Sequence, residues 1–149
     1  MGGSQRWHIN LLIRSLALRH RGCAGTALAR IGLFPGQETV LIVLDRFGPM
    51  TQRQLVDHLG IEPPTLSAVA RKLELAGLVA RTPSPCDARA TIVDLTGKGR
   101  DLLPDIHRIG RNLAERTLAG MDDETVELLM TAIRQATRNL EGDCRREPS

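Results

Sequence analysis

Apolar side chains recur at spacings of three and four from Ile9 through Leu12, Ile13, Leu16, His20, Cys23, Ala24 and Ala27 to Ile31. This stripe predicts an amphipathic helix over about 4–33, with Arg6, Arg14 and Arg21 on the opposite side. Gly22 and Gly25 each cost about 1 kcal/mol in a helix interior and predict a bend, or a tolerated weak point, near residue 22. Phe34, Pro35 and Gly36 end the segment. Residues 37–47 then read as a short, largely buried helix around Val40, Leu41, Val43, Leu44 and Phe47, stopped by Gly48 and Pro49. Thr51 with Gln54 three residues on is a capping-box pattern that starts another helix, with Leu55, Val56 and Leu59 inward and Gly60 closing it. Glu62 is held extended by the proline after it, and Pro63 and Pro64 fit only the first turn of a new helix. That helix runs to about Ala76, with Gly77 at its C-terminal end.

Beyond it the period changes. Leu78 to Thr82 is strand-like and Pro83 to Ala88 is turn-rich. Ala90 to Leu95 alternates, with Thr91, Val93 and Leu95 on one side and Ile92 and Asp94 on the other, so this stretch reads as a β-hairpin with a polar tip. Thr96 caps a long helix carrying Leu102, Leu103, Ile106, Ile109 and Leu113, in which Pro104 predicts a kink. A last helix starts at Asp122, its acidic first turn complementing the helix dipole, with Val126, Leu129, Met130, Ile133 and Leu140 on one face. The tail from Gly142 reads as disordered.

The order short helix, turn, helix, β-hairpin is the plan of a winged helix-turn-helix. The fold class is therefore mainly α with a small β-wing. On the wheel of the second helix, Leu66, Val69, Ala70 and Leu73 form the core stripe. Pro64, Ala68, Arg71 and Leu75 lie opposite, flanked by Thr65, Ser67 and Lys72. Such a face suits a major groove: small side chains let the helix approach, and Thr65 and Ser67 can bond base edges or phosphates. Arg71 can take a guanine bidentately, and Lys72 suits a phosphate.

Composition narrows the partner. With 149 residues, 42% of them hydrophobic, the chain is long enough for a core without disulfides, and its longest aliphatic run, Val40 to Leu44, is far short of the roughly 20 residues that span a bilayer. Ile9 to Ile13 is too short for an export signal, so a cytoplasmic protein with no membrane partner is expected. The cysteines at 23, 86 and 144 form no CxxC pair, which favours a reducing compartment over a disulfide or zinc scaffold. Trp7, Phe34, Phe47 and no tyrosine leave little for base stacking, so a nucleic-acid partner would be a duplex. The net charge is only +3 and is uneven: residues 1–34 carry five arginines and no acid, while 35–104 hold eight basic and eight acidic side chains. Affinity for nucleic acid must then rest on where individual cations sit.

The run Asp87, Ala88, Arg89, followed after five residues by Leu95, Thr96 and then Gly99, resembles the wing signature of the MarR family of bacterial transcription regulators. Gln37, Thr51, Gln52, Leu55 and Leu59, the run Pro63 to Ser67, and Leu73, Glu74, Gly77, Leu78 and Val79 fall in the same family order over about residues 8 to 140. The resemblance implies a homodimeric DNA-binding repressor with a winged domain at 35–104. Dimerisation helices would lie at 1–34, and at 105–149 together with the tail. It implies a pseudo-palindromic double-stranded site touched by Thr51, Gln52, Pro64, Thr65, Ser67, Ala68, Arg71 and Lys72, with Arg89 entering the adjacent minor groove and Asp87 orienting it. Where the family is commonly basic this chain has Ile92, so phosphate contact would fall to Arg81, Lys98 or Arg100.

The family is typically released from DNA by a small aromatic or lipophilic molecule or by thiol oxidation. Trp7, His8, Leu12, Leu16, His20 and Phe47 are candidates to line an effector pocket. Cys23 sits on the apolar stripe, which predicts a buried, inert thiol; Cys86 lies beside the wing tip, where oxidation would place an acid near DNA phosphates. His58 and His107 lack a partner at i+3 or i+4, so no metal site is expected, and no cofactor is implied. With no GxSxG, HExxH, P-loop or GxGxxG, an enzyme is not expected. The neutral middle segment and Ile92 keep open a second reading, a winged-helix protein-interaction module without specific DNA binding, and a thiol-based redox regulator is a third.

Overall fold

The computed structural model describes residues 3–141. The tail read as disordered, with Cys144, lies outside the described residues. The elements are α1 (Gly3–Ala29), α2 (Gln37–Phe47), β1 (Met50–Thr51), α3 (Gln52–Leu59), α4 (Pro63–Leu75), β2 (Val79–Pro83), β3 (Thr91–Leu95), α5 (Gly97–Thr117) and α6 (Asp123–Glu141). They fall into two compact units, one running to Leu113 and one from Ala114. The architecture is mainly α with one small antiparallel sheet, as the periodicities predict.

The core of the first unit gathers one apolar face from each element: Leu28, Leu33, Val40, Leu41, Leu44, Leu55, Leu66, Leu73 and Val93 are all buried. Gln37 is buried among them, and its Oε1 accepts the Phe34 N–H at 2.8 Å, which satisfies a backbone donor where the chain turns into α2. The capping box forms as the sequence predicts. Gln54 N–H donates to Thr51 Oγ1 at 3.2 Å and Gln54 Oε1 accepts from Thr51 N–H at 2.9 Å. Replacing Gln54 with alanine should lower the unfolding free energy by about 0.5–1 kcal/mol in denaturant titration, and an unchanged midpoint would show that the box contributes nothing.

Gly77 ends α4 in the left-handed region, at φ 72. There its N–H donates to Glu74 O and the Leu78 N–H to Leu73 O, both at 2.9 Å, turning the chain directly into β2. The strands run in the order β1-β3-β2, all antiparallel. The Val93 and Leu95 side chains point into the core, as the alternation requires.

Several expectations are corrected. β1 pairs Met50 with Val93 and Thr51 with Ile92; two residues are too few to show alternation, so sequence reading missed it. α1 stays helical through Gly22 and Gly25, so the glycines are tolerated within it, and Thr26 Oγ1 donates back to Gly22 O. Only its C-terminal end is packed. Leu28 is buried and Ala24 and Ala27 are half-buried, whereas residues 5–23 are exposed on every side, Cys23 included. Pro104 lies inside α5, which is helical on both sides of it. In the second unit, Asp122 stands just outside α6 and its Oδ1 accepts the Thr125 N–H at 2.9 Å. Hydrogen bonds from the Thr125 side chain and backbone hold the Asp122 carboxyl below its ordinary pKa. No residue of α6 is buried: Val126, Leu129 and Met130 are half-covered, and Ile133 and Leu140 are exposed.

Candidate nucleic-acid interface

α4 turns two unlike faces outward and inward, because its residues at spacings of three and four differ so sharply. Leu66, Ala70 and Leu73 are fully buried, which anchors the helix over the core with α3 against it. Pro64, Thr65, Ser67, Ala68, Arg71, Lys72 and Leu75 are all exposed on the other side. The wheel read from the sequence is thus the arrangement in the fold. Among the described residues the charged ends of Arg71 and Lys72 have no ion-pair partner. Both are available to an anion.

The two candidates at the start of α3, Thr51 as its cap and Gln52 as its first residue, are placed differently. The Thr51 hydroxyl is engaged at both its donor and its acceptor, donating to Gln54 Oε1 at 3.1 Å and accepting from Gln54 N–H. Gln52 is half-buried, and its amide nitrogen Nε2 is buried without a hydrogen-bond partner.

The hairpin loop between β2 and β3 is braced by its own backbone. Ala90 N–H donates to Asp87 O and Ser84 N–H to Ala90 O, each at 2.9 Å. Asp87 Oδ1 accepts the Arg89 backbone N–H at 2.9 Å, an Asx turn. The carboxylate therefore orders the main chain at the tip, not the guanidinium directly, and leaves the exposed Arg89 side chain free to swing outward.

The cations proposed to replace a basic residue at Ile92 are engaged elsewhere. Arg81 donates through Nε and Nη2 to Glu74 Oε2, at 2.8 and 2.6 Å. Lys98 Nζ donates to Ala76 O at 2.8 Å. Arg100 Nη1 donates to Leu95 O at 3.0 Å, with Nη2 3.6 Å from Asp94. Ile92 itself is half-buried, opposite Thr51 and Thr82 in the sheet.

The effector candidates are not gathered into one place. Trp7, His8, Leu12, Leu16 and His20 lie open along α1, while the Phe47 ring stacks on His58 at 4.6 Å with the Arg46 guanidinium 5.3 Å from its centre. Cys86 is exposed at the wing, its N–H bonded to Ser84 Oγ. Among the described residues no cluster of three His, Cys, Asp or Glu side chains is placed to hold a metal ion, and no helix is long and apolar enough to cross a membrane.

Comparison with known proteins agrees with this geometry. A family profile described as MarR family matches residues 31–90. The chain is 33% identical over 104 residues to a Bacillus subtilis (strain 168) protein named as the uncharacterized HTH-type transcriptional regulator YwoH, covering 70% of this chain and 75% of that one. The crystal structure of a MarR transcriptional regulator from Methanosarcina mazei Go1 superposes with a TM-score of 0.81 at 27% identity, covering 89% of this chain and 95% of that one. A mutant MarR from Escherichia coli, crystallised in complex with operator DNA, shares the fold with a TM-score of 0.80 at 21% identity, covering 86% of this chain and 92% of that one. The shared architecture is the winged helix.

Proposed function

The chain belongs to the MarR family of transcription regulators, and from that premise we propose that it is a homodimeric repressor that binds a pseudo-palindromic duplex. The observation that carries this is the exposed face of α4, with small and hydroxyl side chains at its leading end and two unpaired cations one to two turns later, held over a core that fixes its pose. In this reading α4 enters a major groove, with Pro64, Thr65, Ser67 and Ala68 close to the bases and Arg71 and Lys72 beyond them. Thr51 and Gln52 lie at the helix-turn-helix shoulder, and Arg89 reaches into the adjacent minor groove. Both shoulder side chains would have to turn outward to reach DNA, since the Thr51 hydroxyl is engaged in the capping box and the Gln52 amide nitrogen is buried.

Residues 1–34 and 105–149 would supply the dimer contacts around the DNA-reading segment 35–104. Support comes from each terminal helix separately: α1 exposes Trp7, Ile9, Leu11, Leu12, Ile13, Leu16 and Leu18, and α6 buries none of its residues. Apolar surface of this extent is stabilised by a second copy. Dimerisation would space the half-sites by about 10–10.5 bp. An aromatic or lipophilic effector would enter among Trp7, His8, Leu12, Leu16, His20 and Phe47 once a second copy encloses them.

Fluorescence anisotropy with a duplex selected on the wild-type protein, against a scrambled duplex, tests the reading. Binding no tighter to the selected duplex at about 150 mM salt would leave the protein-interaction module as the better account. Replacing Arg71 with alanine should cost about 1–3 kcal/mol at one base pair and relax the preference there. An equal loss on every sequence would assign Arg71 to phosphate alone.

A further inference from the structure

The first turn of α5 grips the end of α4 more closely than chain connectivity requires. Thr96 N–H donates to Leu78 O at 3.1 Å, Thr96 Oγ1 donates to Gly77 O at 2.6 Å, and Lys98 Nζ donates to Ala76 O at 2.8 Å. Three consecutive carbonyls of the turn between α4 and β2 are thereby held by two residues about 20 positions on. Gly99 makes the approach possible, since a Cβ there would collide with Leu78 O. The Lys98 ammonium sits where the α4 dipole is negative, which favours a cation at that carbonyl. The same turn also holds the wing, Arg100 donating to Leu95 O at the end of β3, and a separate ion pair joins Arg81 of β2 to Glu74 of α4.

We infer that the segment Thr96–Arg100 is a latch that sets the pose of the α4 reading face together with the wing, with Lys98 a positioning residue for DNA recognition and not a phosphate contact. The inference rests on the DNA-binding reading above. Rotation or sliding of α4 would pull on the turn that carries these carbonyls, with the Lys98 bond at Ala76 nearest the helix end, so α4 is tied to the wing and the head of α5 through that turn. A displaced α4 still meets phosphates, which any duplex offers, but no longer aligns with base edges. Loss of the latch should therefore reduce discrimination more than it reduces general affinity.

The test is Lys98→Met in the full-length protein, titrated against the selected and scrambled duplexes over a range of salt. The expected result is a roughly fivefold loss on the selected duplex, little change on the scrambled one, and an unchanged slope of log affinity against log salt. Amide exchange at Thr96 in the free protein should also accelerate, since the turn that carries its acceptor, Leu78 O, is no longer tied by Lys98 at Ala76 O. A phosphate contact would instead weaken both duplexes alike and flatten the slope by about 0.9 for each Lys98, or about 1.8 per dimer; that result overturns the latch. Unchanged affinity and exchange overturn it equally. Wild-type protein that fails to distinguish the duplexes fails the regulator reading before the variant is examined, so the two failures are told apart.

Discussion

Replacing Gly99 with alanine is expected to lower the unfolding free energy by about 2–3 kcal/mol, a drop of roughly 4–12 °C in the thermal midpoint for a chain of this size. The added methyl would meet the Leu78 carbonyl oxygen at far less than contact distance, and would stand 3.1 Å from the Leu78 carbonyl carbon and 3.2 Å from Leu95 Cδ2. Two of these three neighbours are backbone, which cannot rotate aside as a side-chain end can. Relief requires α5 to withdraw from the α4–β2 junction, stretching the Thr96 and Lys98 bonds there. The control is Gly110→Ala, at an exposed α5 position with nothing within 4 Å of the new methyl. That change should stabilise by up to about 1 kcal/mol through helix propensity. If calorimetry finds Gly99→Ala as mild as the control, the close approach at this junction is not a structural requirement.

The second large effect is on binding. Arg89→Ala should weaken affinity for an A·T-rich selected duplex by roughly 30-fold, on the order of 1 kcal/mol for each of two wings in a dimer. Arg89 is exposed at the loop tip, and the Asx turn made by Asp87 fixes the backbone from which it extends. A guanidinium so presented is drawn to the negative potential of a narrow minor groove, so the loss should shrink when the flanking A·T pairs are replaced by G·C. Sedimentation should show the same assembly state for variant and wild type. Equal affinity of the two proteins for the A·T-rich duplex would remove the wing from recognition.

The parts of this molecule that were legible in its sequence are those fixed by local chemistry or by a periodic core face. Thr51 with Gln54, Pro63 and Pro64 at a helix start, and Gly60 and Gly77 at helix ends each impose a backbone geometry that little else satisfies. The buried set Leu66, Ala70 and Leu73 followed from spacing alone, and with it the outward face that carries Thr65, Ser67, Arg71 and Lys72. What escaped depends on partners distant in sequence. The assignment of Arg81, Lys98 and Arg100 to Glu74, Ala76 and Leu95 has no periodic signature, because it is decided by where α5 lands on α4 and the sheet. The same holds for β1, whose two residues are strand only because β3 lies beside them. The one-sided stripe read on α1 is not what the fold shows: Leu11 and Leu18, off the stripe, are as open as Ile9, Leu12 and Leu16 on it, because spacing alone does not weigh the apolar residues between the stripe positions.

The two borders of the small sheet bear on how copies of this protein meet. One border is β1, with only two residues to offer, and the other is β2, which ends in Pro83 and so lacks a ladder donor at its final position. Each border thus offers an incoming segment a shortened run of unpaired backbone, which works against edge-to-edge aggregation of the winged domain.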